Sequence, residues 1–297
     1  MAQSFLKSLL GRRDSQIGVA APASAATFQQ LPPLRPTETA TWRLTVVGCG
    51  DAFGSGGRLQ TSFLLETSRG QILMDCGATT MTGINRLGID PNAIETILIT
   101  HLHGDHFSGL VWWLMHANYV SNRTAPLVIA GPAGLRERLY AASEALFPGM
   151  AATQYRFPLD FREFASQVPI ELGAVRVTPY QVNHPSGAQA FAVRLDGEGR
   201  SLGFSGDTEW VDNLVPCARG ADLMIVDCFG YDTDIGFHMS WKTIAAHLPE
   251  LAARHIMLTH MGPEMLSRLG EVSDPNILAA EDGLVLRLGS SGVAPPT

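Results

Sequence analysis

One short stretch, residues 100–106 with the sequence Thr-His-Leu-His-Gly-Asp-His, constrains the fold more than any other part of the chain. It carries four side chains that could bind a metal ion, directly after an apolar run typical of a buried strand. On a strand, alternate side chains share one face, so the first two histidines should point the same way. The glycine then permits a turn that brings the last two side chains back. The stretch predicts a metal site built from His101, His103, Asp105 and His106.

Three later residues repeat the same relationship between an apolar run and a polar side chain. His184 follows residues 175–182, Asp207 follows residues 201–204, and His260 follows residues 256–259. Loops at strand ends are where mixed α/β folds place their chemistry. We therefore expect these side chains to meet the first group at one edge of a sheet.

The His-x-His-x-Asp-His pattern, with its three later partners in this order, resembles the metallo-β-lactamase superfamily of hydrolases. The resemblance implies an αββα sandwich, in which two packed mixed β-sheets are flanked by helices. It also implies a binuclear centre and hydrolysis by metal-bound hydroxide. One metal would be held by His101, His103 and His184, and the second by Asp105, His106 and His260, with Asp207 bridging both.

Zinc is the expected metal, because imidazole and carboxylate ligands suit two zinc ions and the reaction needs no redox chemistry. Manganese and iron are the alternatives. Composition agrees with an enzyme, since 45% of the 297 residues are hydrophobic and 16% are charged. We expect an N-terminal arm or linker over residues 1–40 and a single hydrolase domain over residues 41–297.

His238 is the histidine outside the ligand set that stands out by position, 31 residues after Asp207 and 22 before His260. This layout resembles ribonuclease Z and its smaller phosphodiesterase relatives. The resemblance implies that a histidine here stabilises the transition state or protonates the leaving group. An ordinary residue at a helix start is the alternative interpretation. Asp105 and His238 are the predicted catalytic residues.

Four further residues are candidates for supporting roles. Asp75 ends a predicted buried strand and could accept a hydrogen bond from a ligand imidazole, although a turn carboxylate would look the same. Asp51 lies in a glycine-rich loop that could face the metals. Trp210 and Trp241 closely follow Asp207 and His238 and are candidates for lining a substrate pocket.

The substrate predicted from these features is a small ester, most simply a phosphodiester. Ribonuclease Z grips transfer RNA with a protruding arm, whereas the 23 residues from His184 to Asp207 allow only a hairpin. The net charge of −7 also disfavours a nucleic-acid partner. A ribonuclease Z-like RNA-processing endonuclease stays open as an alternative. So do a lactone, thioester or aryl-halide hydrolase on the same site, and a noncatalytic metal-binding protein.

Location and assembly are constrained less. No apolar stretch approaches the roughly 20 residues that span a bilayer, so no membrane partner is expected. The four cysteines lack Cys-x-x-Cys spacing, which favours reduced thiols in the cytoplasm. A weak N-terminal export signal is the alternative. The N-terminal arm could also pack on a second copy in a homodimer.

Apolar alternation and cap residues predict the order of strands and helices. The predicted strands are 43–47, 62–67, 71–75, 95–100, 126–130, 175–182, 191–195, 201–205, 223–227 and 256–259. The predicted helices are 79–87, 107–118, 134–146, 211–218, 241–253 and 264–269, with Pro249 expected to kink or interrupt the fifth.

Overall fold

The computed structural model describes residues 42–173, 175–289 and 292–294, so the predicted arm or linker of residues 1–40 lies outside the described residues. Two mixed β-sheets form the centre of the molecule. The first has the strand order β15-β14-β1-β2-β3-β4-β5-β6, parallel from β3 to β6 and otherwise antiparallel. Its strands are β1 (Trp42–Gly48), β2 (Ser62–Thr67), β3 (Gly70–Met74), β4 (Ile94–Leu98), β5 (Leu127–Gly131), β6 (Leu159–Glu163), β14 (Val285–Gly289) and β15 (Gly292–Ala294).

The second sheet has the order β13-β12-β11-β10-β9-β8-β7 and is parallel from β10 to β13. Its strands are β7 (Ile170–Leu172), β8 (Val175–Val182), β9 (Ala190–Gly197), β10 (Arg200–Phe204), β11 (Leu223–Asp227), β12 (Ile256–Thr259) and β13 (Ile277–Ala279). The described α-helices are α1 (Thr80–Leu87), α2 (Gly104–Phe107), α3 (Gly109–Tyr119), α4 (Leu135–Leu146), α5 (Leu214–Ala218), α6 (Trp241–Leu251) and α7 (Pro263–Arg268).

Three apolar clusters account for the layering. One fills the space between the sheets, where the rings of Phe63 and Phe204 meet edge to face with centroids 5.3 Å apart. A second packs the other face of the first sheet against α1, α3 and α4, and a third packs the second sheet against α5, α6 and α7. The order of layers is helix, sheet, sheet, helix, which confirms the predicted αββα sandwich.

The structure of residues 99–103 differs from one expectation. We predicted that His101 and His103 continue a strand, but β4 ends at Leu98. The backbone N–H of Thr100 donates to Oδ1 of Asp75 at 2.8 Å, so a side chain replaces the neighbouring strand as acceptor. Both histidines therefore lie in the loop that leads into α2.

Two helix predictions also differ from the structure. The helix predicted over residues 107–118 is α3, which begins two residues later at Gly109, and the short helix α2 (Gly104–Phe107) before it was not predicted. In α6, Pro249 does not end the helix, which continues to Leu251. Pro249 is exposed in the last turn, where its missing N–H costs one hydrogen bond on the solvent side. Among the described residues, no helix combines the length and the apolar character needed to cross a membrane.

Candidate metal centre and active site

The seven predicted ligands lie together at one edge of the sandwich. Four of them follow β4 of the first sheet, and three follow β8, β10 and β12 of the second sheet. All seven are mostly shielded from solvent, with His103 the most exposed. Both sheets turn strand ends toward the same space, so the chain brings together side chains that lie up to 159 residues apart in the sequence.

The first group consists of His101, His103 and His184, whose nearest ring nitrogens lie within 4.8 Å of one another. Nδ1 of His103 and Nε2 of His184 are 2.9 Å apart. Burial lowers the pKa of all three imidazoles, and that of His101 falls well below its ordinary value. The group therefore presents neutral imidazoles with nitrogen lone pairs available to a cation.

The second group consists of Asp105, His106 and His260. Oδ2 of Asp105 lies 3.3 Å from Nε2 of His106 and 3.2 Å from Nε2 of His260. Burial would raise the pKa of Asp105, but the His106 charge and the hydrogen bond from His260 outweigh it and lower that pKa. Burial would lower the pKa of His106, yet the carboxylates of Asp207, Asp105 and Asp75 raise it well above its usual range. The three carboxylates around His106 therefore favour a positive charge in this pocket.

Asp207 faces both groups with one oxygen. Its Oδ2 lies 3.1 Å from Nε2 of His106 and 3.2 Å from Nε2 of His260 in the second group. The same oxygen lies 3.7 Å from Nε2 of His101 and 3.9 Å from Nε2 of His184 in the first. Burial would raise the pKa of Asp207, but the surrounding imidazoles, His106 foremost, hold it well below its ordinary value.

The residues present fit a metal centre on grounds independent of the resemblance. Nε2 of His101 and Nε2 of His106 are buried and make no hydrogen bond. Buried polar atoms without a partner are costly and need an explanation. A cation between the two groups would satisfy both nitrogens, and imidazole and carboxylate are the ligands that zinc and related metals take.

Two neighbours orient imidazoles of the predicted ligands. Oδ2 of Asp75 lies 2.7 Å from Nδ1 of His106, so Asp75 contacts a predicted ligand. The backbone carbonyl of Phe237 accepts from Nδ1 of His184 at 3.0 Å. Because one nitrogen of each ring is engaged in this way, the other must face the space between the groups.

Three residues of this region have positive φ angles although none is glycine: Asp75 (57°), Phe237 (68°) and His260 (56°). Strained backbone positions of this kind cluster at functional sites.

His238 lies beside the two groups in the loop between β11 and α6. Its ring is stacked 5.3 Å from that of His260, and its centroid is 4.9 Å from that of His184. Nδ1 of His238 is 2.8 Å from Oδ2 of Asp227. Burial would lower the pKa of His238, but the Asp227 charge and hydrogen bond raise it to about 9.

Asp227 also belongs to the candidate site, although the sequence did not lead us to predict it as a site residue. It is fully buried at the end of β11, and its Oδ1 atom has no hydrogen-bond partner. The signal was available, because Asp227 follows the apolar run of its strand just as Asp75 and Asp207 follow theirs.

The other three supporting candidates, Asp51, Trp210 and Trp241, make their described contacts outside the two ligand groups. Both oxygens of Asp51 accept hydrogen bonds from its own loop, from Phe53 and Ser55, so the carboxylate organises the glycine-rich turn. Trp210 and Trp241 are half-buried and pack against the apolar cluster of the second sheet. The Trp210 ring stacks on His247, with centroids 3.7 Å apart.

Comparison with known proteins identifies this arrangement. Ribonuclease Z of Bacillus subtilis is 26% identical over 309 residues, covering 81% of this chain and 97% of that protein. The metallo-β-lactamase fold protein YhfI of Bacillus subtilis superposes with a TM-score of 0.68 at 20% identity, covering 83% and 99% of the two chains. A diphosphatase of the PhnP family superposes with a TM-score of 0.67 at 20% identity, covering 82% and 97%.

The chain therefore has the metallo-β-lactamase fold of a hydrolase family related to ribonuclease Z. Residues 42–280 match the family model described as anti-Pycsar protein Apyc1, a span that includes both ligand groups, Asp227 and His238. The chain belongs to that family.

Proposed function

We propose that the protein is a binuclear metal-dependent phosphodiesterase acting on a small substrate. The observation that carries the proposal is the position of Asp207, whose Oδ2 atom lies within 3.9 Å of imidazole nitrogens in both groups. A carboxylate shared in this way suits a bridge between two cations. His101, His103 and His184 would hold one, and Asp105, His106 and His260 the other.

Two divalent cations, when bound at such a centre, lower the pKa of a water molecule and neutralise charge on a phosphate ester. Zinc suits the donor set, with manganese or iron as alternatives. The residues of the chain supply the rest. Asp75 orients His106, and the Phe237 carbonyl orients His184.

His238 is the proposed general acid. When water attacks phosphorus, the bond to the leaving oxygen breaks and that oxygen needs a proton. Because Asp227 holds Nδ1 of His238, the proton would come from Nε2. A pKa raised to about 9 keeps the imidazole protonated at neutral pH, as an acid requires.

A small substrate is favoured over transfer RNA by the hairpin that β9 and β10 form between His184 and Asp207. The second candidate function, a ribonuclease Z-like endonuclease, is favoured by the relative of that name at 26% identity. The same residues would also suit a third class of reaction, the opening of a lactone or thioester, whose substrate is neither a phosphodiester nor RNA.

A substrate screen of purified protein, stripped with chelator and reloaded with Zn²⁺, Mn²⁺ or Fe²⁺, tests the proposal. The panel contains bis(p-nitrophenyl) phosphate, cyclic nucleotides, precursor transfer RNA, a lactone, a thioester and an aryl halide. We expect metal-dependent cleavage of the small phosphodiesters. Cleavage of precursor transfer RNA alone would favour the endonuclease, and lactone or thioester turnover without phosphodiesterase activity would contradict the substrate class.

A further inference from the structure

Thr100, the residue directly before the first proposed ligand, is buried and uses its side chain as well as its backbone in hydrogen bonds. Its backbone N–H donates to Oδ1 of Asp75 and its hydroxyl donates to Oδ2 of the same carboxylate, each at 2.8 Å. The hydroxyl also lies 3.1 Å from Nδ1 of His101. One carboxylate therefore holds two atoms of Thr100, and Thr100 in turn contacts the ring of a proposed ligand.

The direction of these hydrogen bonds shows which nitrogen of His101 carries a hydrogen. A hydroxyl has a single hydrogen to donate, and that of Thr100 goes to Asp75. The hydroxyl can then only accept from His101, so Nδ1 of that ring is the donor. In a neutral imidazole the other nitrogen keeps its lone pair. That nitrogen, Nε2, is buried without a hydrogen-bond partner and lies 3.7 Å from Oδ2 of Asp207.

Thr100 also connects the first sheet to the second beside the proposed bridging ligand. Its carbonyl accepts from the backbone N–H of Phe191 in β9 at 3.0 Å. On its other side it packs against Gly206, the residue before Asp207. A Cβ atom on Gly206 would lie only 2.8 Å from Cβ of Thr100, so a larger residue there would push the two segments apart. The backbone that leads to Asp207 therefore lies directly against Thr100.

The backbone contacts of Thr100 do not require threonine, because any residue except proline has an N–H and a carbonyl. The shape of the side chain does not require it either, since valine is branched in the same way. What requires threonine or serine is the hydroxyl between Asp75 and His101. This hydroxyl points to a role in the site beyond packing.

We propose that Thr100 is a positioning residue that acts on the metal centre through His101. Its hydroxyl holds the hydrogen of His101 on Nδ1 and so presents the lone pair of Nε2 to a cation. The inference rests on the proposed function, because it assumes that cations occupy the two ligand groups. It adds that Asp75, which contacts His106 directly, also acts on His101 through Thr100. One carboxylate then orients a ligand of each cation.

Substitutions at Thr100 separate the hydroxyl from the shape of the side chain. Thr100→Val removes the hydroxyl and keeps the branched shape, whereas Thr100→Ser and Thr100→Ala differ from each other in the hydroxyl alone. Competition of the zinc-loaded proteins with a chromogenic chelator measures the affinity for zinc. We expect Thr100→Val and Thr100→Ala to bind one equivalent about 10- to 100-fold more weakly than the parent, and Thr100→Ser to stay within about 3-fold of it.

Nuclear magnetic resonance of the zinc-loaded protein with isotope-labelled histidine observes the ring N–H itself. In the parent and in Thr100→Ser, the Nδ1–H proton of His101 should resonate downfield, as a hydrogen-bonded proton does. In Thr100→Val the same proton should move upfield, because valine offers no acceptor. A loss of stability without a change at His101 would not produce this shift.

Thr259→Val is the matched control. Thr259 is buried and directly precedes the proposed ligand His260, but its hydroxyl donates to the backbone carbonyl of Cys49 and not to a ligand ring. That carbonyl keeps the N–H of His260 as a partner, so the affinity for zinc should be unchanged.

Parental zinc affinity in Thr100→Val, or equal losses in Thr100→Val and Thr259→Val, would overturn the proposal. Should Thr100→Val fail to fold, equal affinities in Thr100→Ser and Thr100→Ala would overturn it as well. Failure of the phosphodiesterase proposal would appear separately, as zinc affinity that depends on the hydroxyl in a protein that cleaves no diester.

Discussion

Oδ2 of Asp227 lies 2.8 Å from Nδ1 of His238 and also accepts from the backbone N–H of Thr208 at 3.2 Å. Thr208 directly follows Asp207, so one buried carboxylate connects the proposed acid to the loop of the proposed bridging ligand. This contact fixes both the position of the His238 ring and the nitrogen that remains free to act on a substrate.

Replacement of His238 by alanine should keep the metals and lose most of the rate. None of the seven proposed ligands is changed, but the leaving oxygen would depart without a proton, which costs on the order of 10²–10⁴ in kcat. The loss should be smaller for a very acidic leaving group, which needs less assistance. Steady-state rates on aryl phosphodiesters of graded leaving-group pKa, with elemental analysis of the variant, measure both effects. A variant as fast as the parent would remove His238 from the mechanism.

The pH dependence of kcat should have an alkaline limb set by His238. The acid works while protonated, so activity is present below its raised pKa and is lost as pH rises through about 9. In Asp227→Asn the charge that raises this pKa is gone and burial lowers it, so the limb should move to lower pH. Asp234→Asn is the control, because Asp234 accepts only from Ser240 and Thr243 within the described loop. An identical limb in Asp227→Asn would contradict this pairing.

Asp207→Asn should weaken metal binding at both positions. An amide keeps the size of the side chain but removes the negative charge that faces four imidazoles. We expect close to two equivalents of metal in the parent, fewer in the variant, and no turnover. Elemental analysis after dialysis against metal-free buffer gives the stoichiometry. Full activity in Asp207→Asn would exclude a bridging role.

Asp75→Asn should have an intermediate effect, because Asp75 contacts the ligand His106 and no predicted substrate group. Loss of such a supporting carboxylate typically lowers metal affinity about 10- to 100-fold. Competition with a chromogenic chelator measures the affinity. Asp51→Asn provides the comparison, since the Asp51 carboxylate bonds within its own loop. Equal affinities in the two variants would leave Asp75 with a structural role alone.

Much of the fold was predictable because its central strands are continuous apolar runs with clear ends. The edge strands were not. Residues 159–163 read Leu-Asp-Phe-Arg-Glu, and charged side chains on an edge strand face solvent and weaken the apolar signal. The C-terminal strand β14 pairs with β1, across more than 230 residues, and no local pattern encodes that pairing.

The ligand set could be proposed from sequence because each member lies in the segment that follows a strand. The partners of those ligands could not. The contact between Asp227 and His238 depends on how a loop folds back onto the end of its own strand, and that of Phe237 with His184 depends on a backbone carbonyl. Neither leaves a spacing pattern. Asp51, Trp210 and Trp241 have no described contact with the ligand groups, and a pocket role for the two tryptophans remains a prediction.

All four cysteines should be unreactive in the folded protein. They are buried, and burial raises the pKa of Cys76 and of Cys217 to about 12, so thiolate is scarce at neutral pH. Titration with a disulfide reagent at pH 8 should give no rapid reaction before unfolding and four equivalents in guanidinium chloride. Rapid reaction of a native thiol would indicate local opening of the strand that carries it.

The two sheets each contribute part of one ligand set, four side chains from the first and three from the second. The amino-terminal half of the chain therefore cannot complete the centre while the ribosome is still adding residues 184–260. Metal capture at the proposed centre would then be a late event that depends on the assembly of both sheets. A molecule with a misplaced second sheet would leave the ribosome without bound metal. Its metal content would therefore distinguish it from a correctly folded molecule before either binds a substrate.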